Sequence, residues 1–391
     1  MSDQVVVGSE NKSDCIVRVS RSGKTGINLT TGNEKLFGAG LRAVIEETLS
    51  ALGNDRLRID LEEHGALDCV IRARVEAAVR EAFPDVSPWK TEVKRERSAR
   101  DRLRRTRLYA PGNNPRLLAG IELHGADCVL LDLEDSVPPS EKFTARILVK
   151  HLLAVADFPE VWVRINPLAT YGRDDLAEVM LARPHGICLP KAESAADVVE
   201  LAAELTRLEE SLVTELGTDV GSTFIMPIIE TGKGVLHAEE IACAHERVVI
   251  IAFGAEDYTR DVGARRTQDA LLFARSMIVA ACASAGIQAS DTVYANTDDE
   301  QGLISEAEHI RDLGFVGKGA INPRQIEPIH RVFRPTKEEI AQARKIVAVA
   351  REAEAKGIGA VALGGKMIDR PVLERAKRTI ALAEQLQGEW R

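Results

Sequence analysis

The sequence has no apolar run that approaches the roughly 18 residues needed to cross a membrane. Its first residues, Met1-Ser2-Asp3, lack the basic and then apolar pattern of a signal segment. Basic residues are not in excess either: the formal net charge is -9 at pH 7, whereas a nucleic-acid-binding surface would be basic. We therefore expect a cytoplasmic protein that binds neither a membrane nor nucleic acid.

The sequence also lacks the spacings by which cysteine and histidine usually hold metals. The six cysteines contain no C-x-x-C pair and the eight histidines contain no H-x-x-x-H pair. Most of the cysteines lie in apolar stretches, which is typical of reduced core residues. Neither disulfides nor a metal site of cysteine or histidine is therefore expected.

What the sequence does contain, after residue 106, is a regular alternation of strand and helix patterns. No G-x-G-x-x-G follows the first of these strands, so a dinucleotide-binding fold has little support. Eight strands with helices between them favour a closed (β/α)₈ (TIM) barrel of the α/β class over an open sheet. The strand candidates are Arg107–Ala110, Cys128–Asp132, Val161–Ile165, Gly186–Pro190, Phe224–Ile229, Val248–Phe253, Thr292–Tyr294 and Phe315–Ile321.

The remainder of the 391 residues divides into three further segments. Residues 1–84 alternate short strand and helix patterns and predict a small α+β domain. Residues 85–105 are rich in lysine and arginine, which favours a solvated basic helix or tether over a contact with a polyanion. Residues 106–335 are the predicted barrel, and residues 336–391 are a C-terminal extension of two helices joined by a tight turn at Gly364-Gly365.

Two acids follow buried strands of the predicted barrel. Glu230 comes directly after the apolar run Phe224–Ile229, and Asp257 follows the run that ends at Phe253. The ends of successive parallel strands meet on one face of a barrel, so the two carboxylates are expected to converge. Each acid taken alone is better explained as a cap of the next helix, but the two together, with room for water, favour a Mg²⁺ site.

Other polar residues follow the remaining strands. Arg164 ends the third strand and binds either a substrate carboxylate or the acids between Asp132 and Asp135. Lys191 is a second cation at the barrel mouth, and Lys191 and Lys318 keep Schiff-base chemistry open although no convincing nucleophile is present. Gly112 and Asn113 follow the first strand, where exposed amides suit a phosphate or a thioester arm but are equally typical of a turn.

These stretches resemble the citrate lyase beta subunit and the wider group of Mg²⁺-dependent CoA-thioester lyases. The resemblance covers residues 104–386 and rests on motifs that occur in one order: PGNNP, LDLEDSV, VRINP, LPKAES, IETGKG, FGAEDYTRDVG and GFVGKGAINPRQI. It implies that Glu230 and Asp257 bind Mg²⁺ and that Arg164 contacts the substrate carboxylate. It also implies a catalytic aspartate supplied across a subunit interface; Asp299 is the matching acid, and Asn296 occupies the other matching position.

The N-terminal segment resembles the acyl carrier (gamma) subunit of citrate lyase. The matching text is Ser13–Val19, Glu34–Gly38 and Gly65–Arg74. In that family a serine carries a phosphoribosyl-dephospho-CoA arm, and the family's serine aligns here with Lys12, which has no hydroxyl. Ser13, one residue away, is the predicted attachment site.

Together the two resemblances imply a carrier fused to a lyase that cleaves a citryl thioester to oxaloacetate and an acetyl thioester. A citrate lyase alpha (acyl-transferase) subunit and a homo-oligomer are the expected partners. Two alternatives are a lyase for free malyl-CoA or citramalyl-CoA with a vestigial carrier domain, and a non-catalytic scaffold.

Overall fold

The N-terminal domain is a four-stranded sheet covered by two helices. In this computed structural model, residues 4–32, 34–54, 56–90, 93, 95–217, 219–355, 361–363 and 366–386 are described. The sheet order is β1-β2-β4-β3, and only β3 and β4 run parallel. The elements are β1 (Val5–Gly8), β2 (Cys15–Arg21), β3 (Gly26–Thr30), α1 (Glu34–Leu52), β4 (Leu57–Glu63) and α2 (Asp68–Ala82). The predicted α+β domain is confirmed, with β1 as an additional edge strand.

Eight parallel strands then close into a barrel in the order β5 to β12, with β12 pairing back to β5. The strands are β5 (Thr106–Pro111), β6 (Cys128–Asp132), β7 (Val161–Arg164), β8 (Gly186–Leu189), β9 (Phe224–Ile229), β10 (Ile250–Phe253), β11 (Gln288–Val293) and β12 (Gly317–Ala320). The predicted (β/α)₈ barrel is confirmed. Side chains such as Trp162, Phe224 and Met226 fill its interior, so the barrel is a packed core and a site has room only at the strand ends.

Helices lie between consecutive barrel strands, and one further helix, α12, follows β12. They are α3 (Pro115–Leu118), α4 (Lys142–Val155), α5 (Arg173–Val179), α6 (Ala195–Leu216), α7 (Gly232–Leu236), α8 (Ala238–Cys243), α9 (Ala255–Val262), α10 (Gln268–Ala285), α11 (Glu300–Leu313) and α12 (Ile326–Phe333). All six cysteines are free and only Cys243 is exposed, as expected of reduced core residues.

The basic segment between the two domains is not a solvated helix or tether in its described part. Arg104 is 1% exposed and pairs with the buried Glu160, with Nε and Oε2 2.8 Å apart. Arg95 donates hydrogen bonds to the carbonyl oxygens of Leu153 and Ala182 at 2.7 and 3.0 Å. The arginines therefore satisfy carbonyls and a carboxylate of the barrel, a role that composition alone does not reveal.

Helix α2 of the N-terminal domain packs against helix α4 of the barrel through a buried ionic cluster. Glu76 of α2 is fully buried and contacts Lys150 Nζ and His151 Nε2 of α4, each at 2.6 Å. Glu178 of α5 accepts from Lys150 at 2.6 Å and from Arg80 of α2 at 2.8 Å. The two domains thus share one continuous interior within the compact unit Met1–Ile326.

Residues 327–391 form a second compact unit. It contains α13 (Lys337–Ala355), the hairpin β13 (Val361–Leu363) and β14 (Lys366–Ile368), and α14 (Arg370–Gln385). Both predicted helices are present, and the predicted turn at Gly364-Gly365 lies outside the described residues. Among the helices that the structure describes, none is long and apolar enough to cross a membrane.

Candidate active site

Glu230 and Asp257 line the same cavity at the carboxyl ends of the barrel strands. Glu230 directly follows β9, and Asp257 lies in the first turn of α9, just after β10. The cavity has a volume of about 400 Å³. Its lining also includes Tyr109, Pro111, Leu117, Asp132, Ser136, Arg164, Phe253, Gly254, Glu256, Thr292, Val293 and Ile321. The two acids that the sequence predicted to converge are therefore brought together.

Gly254 makes room for the Glu230 carboxylate. A Cβ atom at position 254 would lie 2.7 Å from both Cβ and Oε2 of Glu230, closer than such atoms approach in proteins. The backbone N–H of Lys191 donates a hydrogen bond of 2.8 Å to Glu230 Oε1. A glycine on one side and a backbone donor on the other thus fix this carboxylate at the cavity wall.

The electrostatics of Glu230 are those of a buried acid beside other acids. Burial raises its pKa to about 7, and the charges of Glu134 and Asp257 act in the same direction. Only 2% of the residue is exposed. A carboxylate with so high a pKa gains strongly from a cation placed beside it.

The residues present fit a magnesium ion. Within the described ranges, no group of three or more His, Cys, Asp or Glu side chains is arranged to hold a metal. Mg²⁺ does not require such a group, because it is commonly held by one or two carboxylates and retains several waters. Glu230 and Asp257 supply two hard oxygen donors at a cavity with room for water and substrate.

The raised pKa of Glu230 predicts a pH-dependent metal affinity. Without metal, the fold favours the protonated acid, so the free energy of unfolding falls as pH rises from about 4.5 to about 7. Mg²⁺ must displace that proton, so its affinity should fall about tenfold per pH unit below 7 and change little above 8. Calorimetric titration with MgCl₂ from pH 5.5 to 8.5 tests this; equal affinities at both ends would contradict it.

Arg164 pairs with acids of the neighbouring strand. Its Nε and Nη2 each donate a hydrogen bond of 2.7 Å to Asp132, and its Nη1 lies 3.0 Å from Glu134 Oε2. A guanidinium has five N–H groups, so one on each terminal nitrogen remains for another acceptor. The two sequence-based alternatives are compatible: the acids hold Arg164 in place, and two donors are left at the cavity wall.

Lys191 neutralises a further acid. Its Nζ pairs with Glu134 Oε1, and its backbone has a left-handed φ of 51°. It is not among the residues that line the cavity. Lys318, the other lysine considered for a Schiff base, is fully buried and lies 3.0 Å from Asp291. Neither lysine is placed to attack a carbonyl in this cavity.

Gly112 and Asn113 are not among the residues that line the cavity of Glu230 and Asp257. The Gly112 N–H already donates to the Asp132 carbonyl at 2.7 Å, and a Cβ atom there would lie 2.8 Å from that oxygen. Asn113 Nδ2 donates to Glu141 at 2.6 Å. The Gly112 position therefore serves close backbone packing, and a substrate contact by either residue stays a prediction.

Asn113 instead lines a second cavity, of about 620 Å³, between the N-terminal domain and the barrel. We call it the interdomain cavity. The N-terminal domain contributes Val6, Val7, Gly8, Ser9, Asn11, Lys12, Asp14, Arg74 and Glu81, and the barrel contributes Asn113, Asn114, Pro115, Arg116, Ser140, Glu141 and Thr144. Pro111 and Leu117 line the first cavity, so the loop after β5 borders both.

Asp299 does not line the first cavity of its own chain. Its carboxylate accepts hydrogen bonds from Tyr294 Oη at 2.6 Å and from the Gly302 N–H at 2.9 Å, which caps helix α11. Those hydrogen bonds hold the pKa of Asp299 below its usual value, so it is ionised. Its catalytic role across a subunit interface stays a prediction.

Several cavity residues escaped the sequence analysis, Tyr109 and Ser136 among them. The strand alternation could have indicated Tyr109, because residues two apart on a strand face the same side and Arg107 and Tyr109 flank Leu108 in β5. Ser136 lies in the loop after β6, where no such alternation exists.

Comparison with known proteins places this geometry in a family. Residues 105–323 match the family model "HpcH/HpaI aldolase/citrate lyase". The citrate lyase subunit beta of Leuconostoc mesenteroides subsp. cremoris is 44% identical over 288 residues, which cover 72% of this chain and 94% of that protein. The L-malyl-CoA/beta-methylmalyl-CoA lyase of Cereibacter sphaeroides is 33% identical over 309 residues, which cover 73% of this chain and 96% of that protein.

A solved structure and a second family model complete the comparison. The protein CitE from Mycobacterium tuberculosis, in complex with magnesium, acetoacetate and coenzyme A, aligns with a TM-score of 0.61 and 31% identity, covering 73% of this chain and 100% of that one. Residues 2–82 match the ACP family model, described as "Malonate decarboxylase delta subunit (MdcD)". The chain therefore belongs to the HpcH/HpaI aldolase/citrate lyase family and is a lyase with an acyl-carrier-like domain at its N-terminal side.

Proposed function

We propose that this lyase cleaves a citryl thioester to oxaloacetate and an acetyl thioester, with Mg²⁺ held by Glu230 and Asp257. The observation that carries the proposal is the meeting of these two acids in one cavity, where Glu230 has a pKa of about 7. The magnesium in the solved relative supports the choice of metal. When bound, Mg²⁺ would act as a Lewis acid on the oxygens of the substrate's hydroxyl and neighbouring carboxylate.

The reaction is a retro-Claisen cleavage. The tertiary hydroxyl loses its proton and its oxygen becomes the keto oxygen of oxaloacetate. The bond from the hydroxyl-bearing carbon to the methylene beside the thioester breaks, and its electron pair forms the thioester enolate. Protonation of the methylene carbon gives the acetyl thioester. The hydroxyl thus loses one proton, and the methylene carbon takes up one.

Arg164 orients the substrate in this scheme. Asp132 holds the guanidinium in a fixed plane, and the two remaining N–H groups are available to a substrate carboxylate. A positioned donor of this kind lowers the entropic cost of reaching the reactive geometry. Asp299, supplied by a second copy of the chain, is our proposed proton acceptor, which makes a homo-oligomer part of the proposal.

The direct test is a side-by-side assay of citryl-CoA, malyl-CoA and citramalyl-CoA with and without MgCl₂. We expect citryl-CoA to give the highest kcat/KM and EDTA to remove the activity. Turnover of malyl-CoA or citramalyl-CoA alone would favour the alternative function, for which the 33% identical malyl-CoA lyase is the supporting relative.

We further propose that the N-terminal domain carries the acyl group on a phosphoribosyl-dephospho-CoA arm, loaded by a citrate lyase alpha (acyl-transferase) subunit. Within the interdomain cavity, Ser9 Oγ donates a hydrogen bond of 2.8 Å to Asp14, which the buried Arg74 holds at 2.9 Å. Ser13, the site expected from the sequence, has a left-handed φ of 71° and is not among the lining residues. The geometry favours Ser9, which lines the interdomain cavity and whose hydroxyl is held by the Asp14 carboxylate.

Intact-mass analysis of protein purified from its native host tests the arm and its position. We expect the wild type and Ser13→Ala to carry a discrete added mass, and Ser9→Ala to lack it. Added mass that survives in Ser9→Ala but not in Ser13→Ala would return the assignment to Ser13. An unmodified wild type would indicate free CoA thioesters as substrates.

A further inference from the structure

A fully buried arginine, Arg107, lies in the barrel two residues before Tyr109, which lines the first cavity. Arg107, in β5, is 1% exposed. Its Nε donates a hydrogen bond of 3.2 Å to Tyr109 Oη, Nη1 donates to Ser290 Oγ, and Nη2 is 3.4 Å from the Asp291 carbonyl oxygen. All three acceptors are neutral, and across the described ranges no carboxylate forms an ion pair with Arg107. A buried charge without a counter-charge is costly, and an anionic ligand bound nearby would lower that cost.

The other basic side chains around the first cavity pair with its acids. Arg164 pairs with Asp132, Arg266 with Glu256 and Arg260 with Asp257. Arg260 is 75% exposed, so solvent can compensate its charge if Asp257 turns to a metal. Arg107, in contrast, is buried and has no ion-pair partner among the described residues.

Tyr109 connects this charge to the cavity. Tyr109 lines the first cavity, and its ring centroid lies 5.3 Å from the guanidinium carbon of Arg107 and 5.8 Å from that of Arg164. Burial raises the pKa of Tyr109 above its usual value, so the hydroxyl keeps its proton. That oxygen accepts from Arg107, and across the described ranges its own hydrogen has no acceptor. A hydroxyl that accepts from a cation becomes a stronger donor.

We propose that Tyr109, held and polarised by Arg107, binds the extra carboxylate that distinguishes citryl from citramalyl and malyl thioesters. This inference rests on the proposed function and refines it by naming the residues that select the substrate. Citryl thioesters carry a carboxymethyl group on the hydroxyl-bearing carbon, where citramalyl thioesters carry a methyl group and malyl thioesters a hydrogen. Tyr109 is the contact residue, and Arg107 is a positioning residue that acts through it.

Two variants test the assignment with little change in shape. Tyr109→Phe removes one hydroxyl, and Arg107→Met removes the buried charge while keeping most of the volume. For each we expect KM for citryl-CoA to rise about 10- to 100-fold, as for loss of a hydrogen bond to a charged group, while kcat changes less than about threefold. Citramalyl-CoA, which lacks the extra carboxylate, should keep its kcat/KM within about threefold. Tyr171→Phe, at a tyrosine 40% exposed and outside the cavity, is the matched control.

Calorimetric binding of oxaloacetate and pyruvate, with MgCl₂ present, supplies a readout that does not depend on turnover. The wild type should bind oxaloacetate more tightly, and both variants should lose that preference. Equal losses on citryl-CoA and citramalyl-CoA, or no loss on either, would overturn the inference while leaving the proposed cleavage intact. If the wild type cleaves none of the thioesters, the proposed function fails, and the effect of Tyr109→Phe on the oxaloacetate preference alone supports or overturns the inference.

Discussion

Replacing Asp257 by alanine is expected to abolish Mg²⁺-dependent release of oxaloacetate from citryl-CoA, with a loss in kcat/KM of about a thousandfold or more. The reason is that the variant keeps only one of the two carboxylates that the cavity offers to the metal. Asp257 is in the first turn of α9 and is partly exposed, so its removal leaves no buried group without a partner. The fold should therefore survive, and circular dichroism together with a coupled oxaloacetate assay separates the two effects.

Asp269→Ala is the matched control for this variant. Asp269 is an exposed acid in the first turn of α10 and lies outside the cavity. It should retain full activity and full dependence on Mg²⁺. Unchanged turnover in Asp257→Ala, with the control equally active, would remove the metal assignment.

The second large effect concerns stability. Glu76→Ala should lower the free energy of unfolding by about 3 to 5 kcal/mol, because it leaves the buried Lys150 short of a counter-charge and His151 without its hydrogen-bond partner. Glu76 also accepts hydrogen bonds from Arg80 and from the Trp89 N–H, each at 3.0 Å. Urea denaturation followed by fluorescence and circular dichroism measures the change, and Glu46→Ala, at an exposed site on α1, should stay within about 0.5 kcal/mol of the wild type.

The ionic cluster around Glu76 also makes the stability difference between the wild type and Glu76→Ala depend on pH. Burial raises the pKa of Glu76, but the hydrogen bond from His151 and the charge of Lys150 outweigh it and bring the pKa down to about 2. The stabilisation is therefore present above about pH 4.5 and is lost as pH falls towards 2. A gap between wild type and Glu76→Ala that stayed constant down to pH 2 would contradict this account.

The ionic cluster also bears on how the carrier-like domain works. Fusion alone raises the effective concentration of an arm at the barrel mouth. Here helix α2 is fixed to α4 by buried charges, so the domain is part of the enzyme body. An attached arm must then supply the reach between the two cavities, both of which the segment from Pro111 to Leu117 borders.

The sequence predicted the barrel because its strands are largely apolar and β-branched. It failed where a strand is polar: β11 begins at Gln288, whereas apolar patterning indicated a strand only from Thr292. Asp291 of that strand is fully buried because Arg275 and Lys318 pair with it. Partners so distant in sequence leave no mark in local periodicity.

The candidate site was predictable in part for the same reason. Glu230 and Asp257 were found because both follow buried strands, and parallel strand ends meet on one face. Whether Arg164 faces the acids or a substrate depends on side-chain contacts between strands, which spacing does not define. The arginines of the basic segment were misjudged because composition counts charges but does not identify the carbonyls and carboxylate that receive them.

Anomalous diffraction from crystals soaked with MnCl₂ and oxaloacetate tests the central claim most directly, because Mn²⁺ takes the same oxygen ligands as Mg²⁺. The account predicts one strong peak between the carboxylates of Glu230 and Asp257, within about 2.0 to 2.3 Å of an oxygen of each, with oxaloacetate bound beside it. A peak elsewhere in the molecule, or an empty position between these two acids at saturating Mn²⁺, would contradict it.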